Sequence, residues 1–151
     1  MRLVAGLLLA CCALASCERE DPFAGGPELG PSPGEVRLSF ASDPAPGEQV
    51  TLDIEVTSER TLKGGTCIDL YRWQPGYGPE VDWHIDLRSG DATADLPEPP
   101  ACPTDGTDLP SSLSFALPPL EGNVYQLTYT WSDVEGQQGP TASLTFEVDA
   151  D

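Results

Sequence analysis

From Glu35 onward, apolar and polar side chains alternate with a period of two. That period belongs to strands, whose successive side chains point to opposite faces. Val36, Leu38 and Phe40 are separated by Arg37 and Ser39, and Val50, Leu52, Ile54 and Val56 by Thr51, Asp53 and Glu55. The same alternation runs over Val81 to Leu87, Leu113 to Leu117, Tyr125 to Trp131 and Leu144 to Val148, which predicts six strands that each bury one face. Turn formers fall between them: Asp43-Pro44-Ala45-Pro46-Gly47, Gln74-Pro75-Gly76, Glu121-Gly122-Asn123, Glu135-Gly136 and Gly139-Pro140. No stretch of useful length carries a helical period. A seventh strand, Cys67 to Gln74, is less simple. One face carries Ile68, Leu70 and then Arg72; the other carries Cys67, Asp69, Tyr71 and Trp73. Either face placed inward leaves something apolar outside the core. The expectation is an all-β fold, a seven-stranded antiparallel sandwich of two sheets over residues 35–151.

The 151 residues hold 25 acidic and 7 basic side chains, a formal net charge of −18. Such a chain lacks the cations that nucleic acid phosphates require. It also lacks those needed to dock on anionic lipid by charge. A basic partner and a salt-dependent association rate are favoured instead. A single His and a single Met leave little for transition-metal or redox chemistry.

The N-terminus carries the most specific motif. Arg2 precedes Leu3 to Ala15, an apolar run of 13 residues. A helix needs about 20 such residues to span a bilayer, so the run has the length of a signal-peptide core instead. It ends in Leu14-Ala15-Ser16-Cys17, which resembles the lipobox of bacterial lipoproteins: an aliphatic residue, two small residues, then Cys. The resemblance implies that residues 1–16 are removed as a lipoprotein signal peptide. Cys17 then becomes the first residue, its sulfur carrying a diacylglycerol that anchors the chain to a membrane of the cell envelope. No other cofactor is implied. Glu18 follows the Cys; in that family Asp there retains the protein at the inner membrane in some bacteria, so the resemblance favours the outer membrane.

The cysteine count follows from that anchor. Of five Cys, Cys11 and Cys12 leave with the signal peptide and Cys17 takes the lipid. Cys67 and Cys102 remain, an even pair in an oxidising compartment, and a disulfide between them is expected. Residues 17–34 then form a tether. From Glu18 to Gly34 there are four Pro and four Gly, with Phe23 and Leu29 as the large apolar side chains. That is too little apolar surface to offset the entropy of ordering.

The last third resembles bacterial immunoglobulin-like or fibronectin-like domains. The carrying residues are Gly122-Asn123-Val124-Tyr125-Gln126-Leu127, Asp133-Val134-Glu135-Gly136 and Ala142-Ser143-Leu144-Thr145-Phe146-Glu147-Val148, and Pro46-Gly47-Glu48-Gln49-Val50-Thr51-Leu52 fits the second strand of that fold. The resemblance implies an immunoglobulin-like sandwich in which Tyr125 takes the tyrosine-corner role. The usual inter-sheet Cys pair and its Trp spacing are absent. Cys67 and Cys102 would instead join the third strand to a long loop.

That loop, Arg88 to Ser112, has 25 residues without a strand pattern, five of them Pro. The disulfide would pin it on the face carrying Tyr71 and Trp73. These two residues, with Tyr77 in Gly76-Tyr77-Gly78, are the candidate binding residues for a protein partner or a sugar ring. Asp105 and Asp108 have a spacing open to Ca²⁺, but the EF-hand pattern is missing, so no metal is assigned. No catalytic residue is assigned either: G-x-S-x-G and H-E-x-x-H are absent, and in Lys63-Gly64-Gly65-Thr66 the Lys precedes the glycines, unlike a phosphate loop. His84, between Asp82 and Asp86, is expected to face solvent. The function expected is a non-catalytic envelope lipoprotein that binds a protein or acts as an accessory module. A glycan- or peptidoglycan-binding module and a structural subunit of an envelope complex are the alternatives.

Overall fold

The computed structural model describes residues 27–98, 100–133 and 140–149. The signal segment, Cys17, the first ten residues of the tether (17–26) and the Glu135-Gly136 turn lie outside the described residues.

The described residues are all-β. The strands are β1 (Gly30–Pro31), β2 (Val36–Phe40), β3 (Gln49–Val56), β4 (Lys63–Gln74), β5 (Gly78–Asp86), β6 (Ala92–Ala94), β7 (Thr104–Asp108), β8 (Ser112–Ala116), β9 (Asn123–Ser132) and β10 (Thr141–Val148). One sheet has the order β1-β10-β9-β4-β5-β6, with β7 paired to the first part of β4; the second has the order β2-β3-β8. Every pairing is antiparallel.

The alternating side chains explain the layering. Leu38, Leu52, Ile54 and Phe115 from the smaller sheet meet Ile68, Leu70, Tyr125, Leu127, Tyr129, Leu144 and Phe146 from the larger one in a single buried cluster. Each such side chain contributes about 1.5–3 kcal/mol when fully buried. Phe40 and Phe146 meet edge to face across the two sheets, ring centres 5.0 Å apart, and Phe146 stacks on Tyr125 at 6.0 Å. The face of β4 carrying Ile68 and Leu70 is therefore the inward one.

Seven of these strands correspond to the alternating segments; β1, β6 and β7 do not. Gly30 and Pro31, within the tether read from composition, pair with Thr145 and Leu144, and Ser32 N–H donates to the Ser143 carbonyl at 2.9 Å. Strand pairing thus extends ahead of Glu35. Segment 88–112 likewise contributes β6 and β7. All three are short, and backbone hydrogen bonds hold them rather than a buried side-chain face, so they leave no period in the sequence. Proline is tolerated in β1 because that strand lies at the sheet edge.

Two further departures concern β4 and β5. β4 starts at Lys63, four residues before the apolar pattern, because Gly64 and Gly65 lie in it. A Cβ on Gly65 would sit 2.4 Å from the Thr130 carbonyl oxygen, and one on Gly64 would sit 2.5 Å from the Tyr129 hydroxyl. Glycine is needed there for close approach of β9, not for a turn. On β5, Leu70 pairs with Trp83 but Tyr71 pairs with Val81, which leaves Asp82 as a bulge. The extra residue turns Val81 away from the core face, where alternation alone had placed it; Trp83 and Ile85 keep their inward positions.

Candidate functional site

The outer face of β4 and β5 collects the polar and reactive side chains. Cys67 and Cys102 are joined as a disulfide, their Cα atoms 5.6 Å apart. Both are buried, although Cys67 points away from the main core. The cover comes from segment 88–112. Thr66 donates its hydroxyl hydrogen to the Pro103 carbonyl at 3.0 Å, and Thr104 pairs with Gly65. The disulfide therefore fixes this segment to β4, and the segment in turn keeps water from the sulfurs.

Asp69 and His84 are opposite partners on β4 and β5, and the carboxylate Oδ1 lies 2.6 Å from His84 Nδ1. Their side chains are only 11 % and 13 % exposed. His84 does not face solvent as its Asp neighbours in sequence suggested; the covering segment closes over it. Asp69 Oδ2 lies 3.8 Å from Cys102 Sγ. Burial pushes the Asp69 carboxyl above its ordinary range, against the opposing pull of the His84 contact. Burial and the nearby Asp69 charge push the Tyr71 phenol up as well. One polar atom each from Cys67, Asp69, His84 and Cys102 lies within 4.8 Å of all the others.

Tyr71 and Trp73 continue the same face of β4 and are half-buried. Tyr77 is not beside them. It sits at the tip of the β4–β5 hairpin, 90 % exposed, in a turn closed by its N–H donating to the Gln74 carbonyl at 3.0 Å. Of the calcium candidates, Asp108 accepts from Lys63 Nζ at 2.7 Å, and the Asp105 side chain lies outside the described residues. A cleft of about 250 Å³ lined by Gly64, Gly65, Thr66, Leu87, Arg88 and Tyr129 opens beside the covering segment. It is smaller than the ~300–1,000 Å³ usual for small-molecule sites.

The contact that sequence reasoning missed is Asp69–His84. Strand parity places Asp69 with Cys67 on the outward face, but only the register of β4 against β5 sets His84 opposite it.

No protein-family model matches the chain, and no curated protein matches it significantly.

Proposed function

We propose that the chain is a lipoprotein of the bacterial cell envelope, anchored by a diacylglycerol on Cys17, most favourably in the outer membrane. Its immunoglobulin-like domain acts as a non-catalytic module that binds an envelope protein. The strand order supports the immunoglobulin-like reading. With β2, β3 and β8 taken as strands A, B and E, and β4, β5, β9 and β10 as C, C′, F and G, the two sheets follow the A-B-E and G-F-C-C′ orders of that fold. The hydroxyl of Tyr125, near the start of β9, donates to the Glu121 carbonyl four residues upstream, as a tyrosine corner does.

The observation that carries the binding reading is the 90 % exposure of Tyr77 at a hairpin tip. Exposed aromatics on a rigid scaffold are typical anchors of protein interfaces. Gly30, Thr145, Gln126 and Tyr71 form one row across the larger sheet, and the chain leading into β1 leaves at the end where the β4–β5 hairpin turns. The chain entering β1 and Tyr77 thus share one end of the domain, which favours a partner held close to the membrane. Half-burial of Tyr71 and Trp73 favours protein contact over sugar stacking, since a ring that stacks on a sugar offers it a whole face.

The test is photo-crosslinking in cells, with the crosslinker at position 77 or, as control, at Ser89 in the exposed turn at the opposite end. One dominant protein adduct at 77, absent at 89 and lost with Tyr71→Ala and Trp73→Ala together, is expected. Equal adducts at both positions, sugar polymer alone, or none would overturn the proposal.

A further inference from the structure

Four side chains with metal-ligand chemistry converge under the covering segment: two sulfurs, an imidazole and a carboxylate, one atom of each within 4.8 Å of the rest. They come from three parts of the chain, β4 (Cys67, Asp69), β5 (His84) and the covering segment (Cys102). None packs in the main core. Burying a carboxylate and an imidazole against a disulfide brings little stability, because desolvation offsets most of the attraction. The sulfur bridge alone would hold the segment, and Asp69 and His84 are not needed for that.

We propose that Cys67, Cys102, His84 and Asp69 form a redox-gated site for a tetrahedral divalent transition-metal ion, zinc by the chemistry of its donors. Two thiolates and an imidazole select zinc over calcium or magnesium, which prefer all-oxygen sites. In the oxidised chain both sulfurs are committed to each other and the site is closed. A dithiol reductant opens it: the Sγ–Sγ bond breaks, two electrons and two protons pass to the cysteines, and the reductant leaves as its own disulfide. The metal ion then displaces the two thiol protons and binds the thiolates.

The movements required are small. At the usual metal–ligand lengths of about 2.0–2.3 Å, tetrahedral donors stand about 3.3–3.8 Å apart. The 2.6 Å contact between Asp69 and His84 must lengthen by about 0.7 Å. The sulfurs must part to about 3.8 Å; Ala101 and Pro103 beside Cys102 are exposed, and the Thr66–Pro103 bond and Thr104–Gly65 pairing keep the segment in place while the sulfurs move apart. The metal would take over the work of the disulfide, holding segment 88–112 on β4 under reducing conditions. This inference does not depend on the partner-binding role.

The test uses the mature chain, from lipidated Cys17 onward, in mild detergent, reduced anaerobically with a phosphine and titrated with Co²⁺ as a spectroscopic probe. One Co²⁺ per chain is expected, with thiolate-to-cobalt charge transfer in the near ultraviolet, visible bands of tetrahedral intensity, and displacement of both by Zn²⁺. The oxidised chain should show neither. His84→Gln should weaken binding at least 10-fold. A reduced chain that stays folded by circular dichroism yet takes no cobalt overturns the proposal, as does one that unfolds and is not refolded by cobalt. Binding that His84→Gln leaves unchanged reports a bare thiol pair and overturns it too.

Discussion

Tyr125 reaches back four residues to Glu121, its hydroxyl donating to the main-chain carbonyl at 3.0 Å. Its ring is at the same time buried against Phe146, which meets Phe40 from the other sheet. One side chain therefore ties the 117–122 turn to the strand that follows and to the contact between layers. Tyr125→Phe keeps the ring and removes the hydrogen bond. The exposed Glu121 can take water instead, so the loss is that of an ordinary bond, about 0.5–1.5 kcal/mol. A lower urea midpoint with an unchanged slope is the expected result. An unmoved midpoint would show that the hydroxyl contributes nothing to holding the turn.

Gly65 is constrained by space rather than by backbone angle. Its missing Cβ would sit 2.4 Å from the Thr130 carbonyl oxygen and 3.3 Å from Thr130 Cβ. Both belong to β9, which cannot retreat without opening the β4–β9 pairing. Gly65→Ala is expected to cost about 1–3 kcal/mol, as overpacking does. Gly34→Ala is the control: its nearest neighbour would be the Val36 carbonyl oxygen at 3.9 Å, and the change should stay within about 0.5 kcal/mol. Equal unfolding midpoints for the two variants would reject the steric account.

These glycines also show what alternation could and could not reveal. The Val50–Val56 and Tyr125–Trp131 strands were legible because each buries one face, and burial selects side chains with a period of two. Lys63–Thr66 was illegible because two glycines carry no side chain to alternate. Gly30–Pro31, Ala92–Ala94 and Thr104–Asp108 were illegible because main-chain bonds at sheet edges select no side chains. Val81 was misplaced because a single bulge at Asp82 inverts the faces beyond it. At the site, the pairing of Cys67 with Cys102 followed from counting cysteines, and the shared face of Cys67, Tyr71 and Trp73 followed from parity. The burial of His84 did not, since it depends on a register and on a covering segment with no pattern of its own.

The disulfide closes a loop with a sequence separation of 35 residues. On the chain-entropy model that constraint is worth about 3–4 kcal/mol. With the thiols capped by alkylation, so that no metal can replace the bridge, the melting temperature should fall by more than about 10 °C for a domain of this size. Differential scanning calorimetry of oxidised and alkylated chains measures it. A shift of only a degree or two would mean that segment 88–112 is held by its hydrogen bonds, such as Thr66 to Pro103, without the bridge.

Two carboxyls should pull the acid stability curve in opposite directions. The Arg60 guanidinium hydrogen-bonds Glu35, with Ser58 adding a second donor, and together they lower the Glu35 carboxyl to about 2. The unfolded chain, with this group near 4.5, binds the proton more readily. Its stabilising effect is therefore complete above about pH 4.5 and is lost as pH falls through about 2. Asp82 behaves in reverse. Burial raises its carboxyl, with the Asp95 and Glu121 charges adding to the rise and Arg72 opposing it. The folded chain then holds this proton more tightly, so the Asp82 contribution is fullest below its ordinary 3.8 and disappears as pH rises through the folded value. Arg60→Gln should move the Glu35 titration up from about 2 by carboxyl NMR, with the remaining Ser58 bond still holding it below 4.5. It should also cost more stability at about pH 6 than at about pH 2. Asp82→Asn should gain on the parent as pH rises from about 3 to 7, because the buried charge that forms there is gone. Urea midpoints across that range decide between the two signs. Curves for either variant that run parallel to the parent would mean that the corresponding carboxyl titrates alike in the folded and unfolded chains.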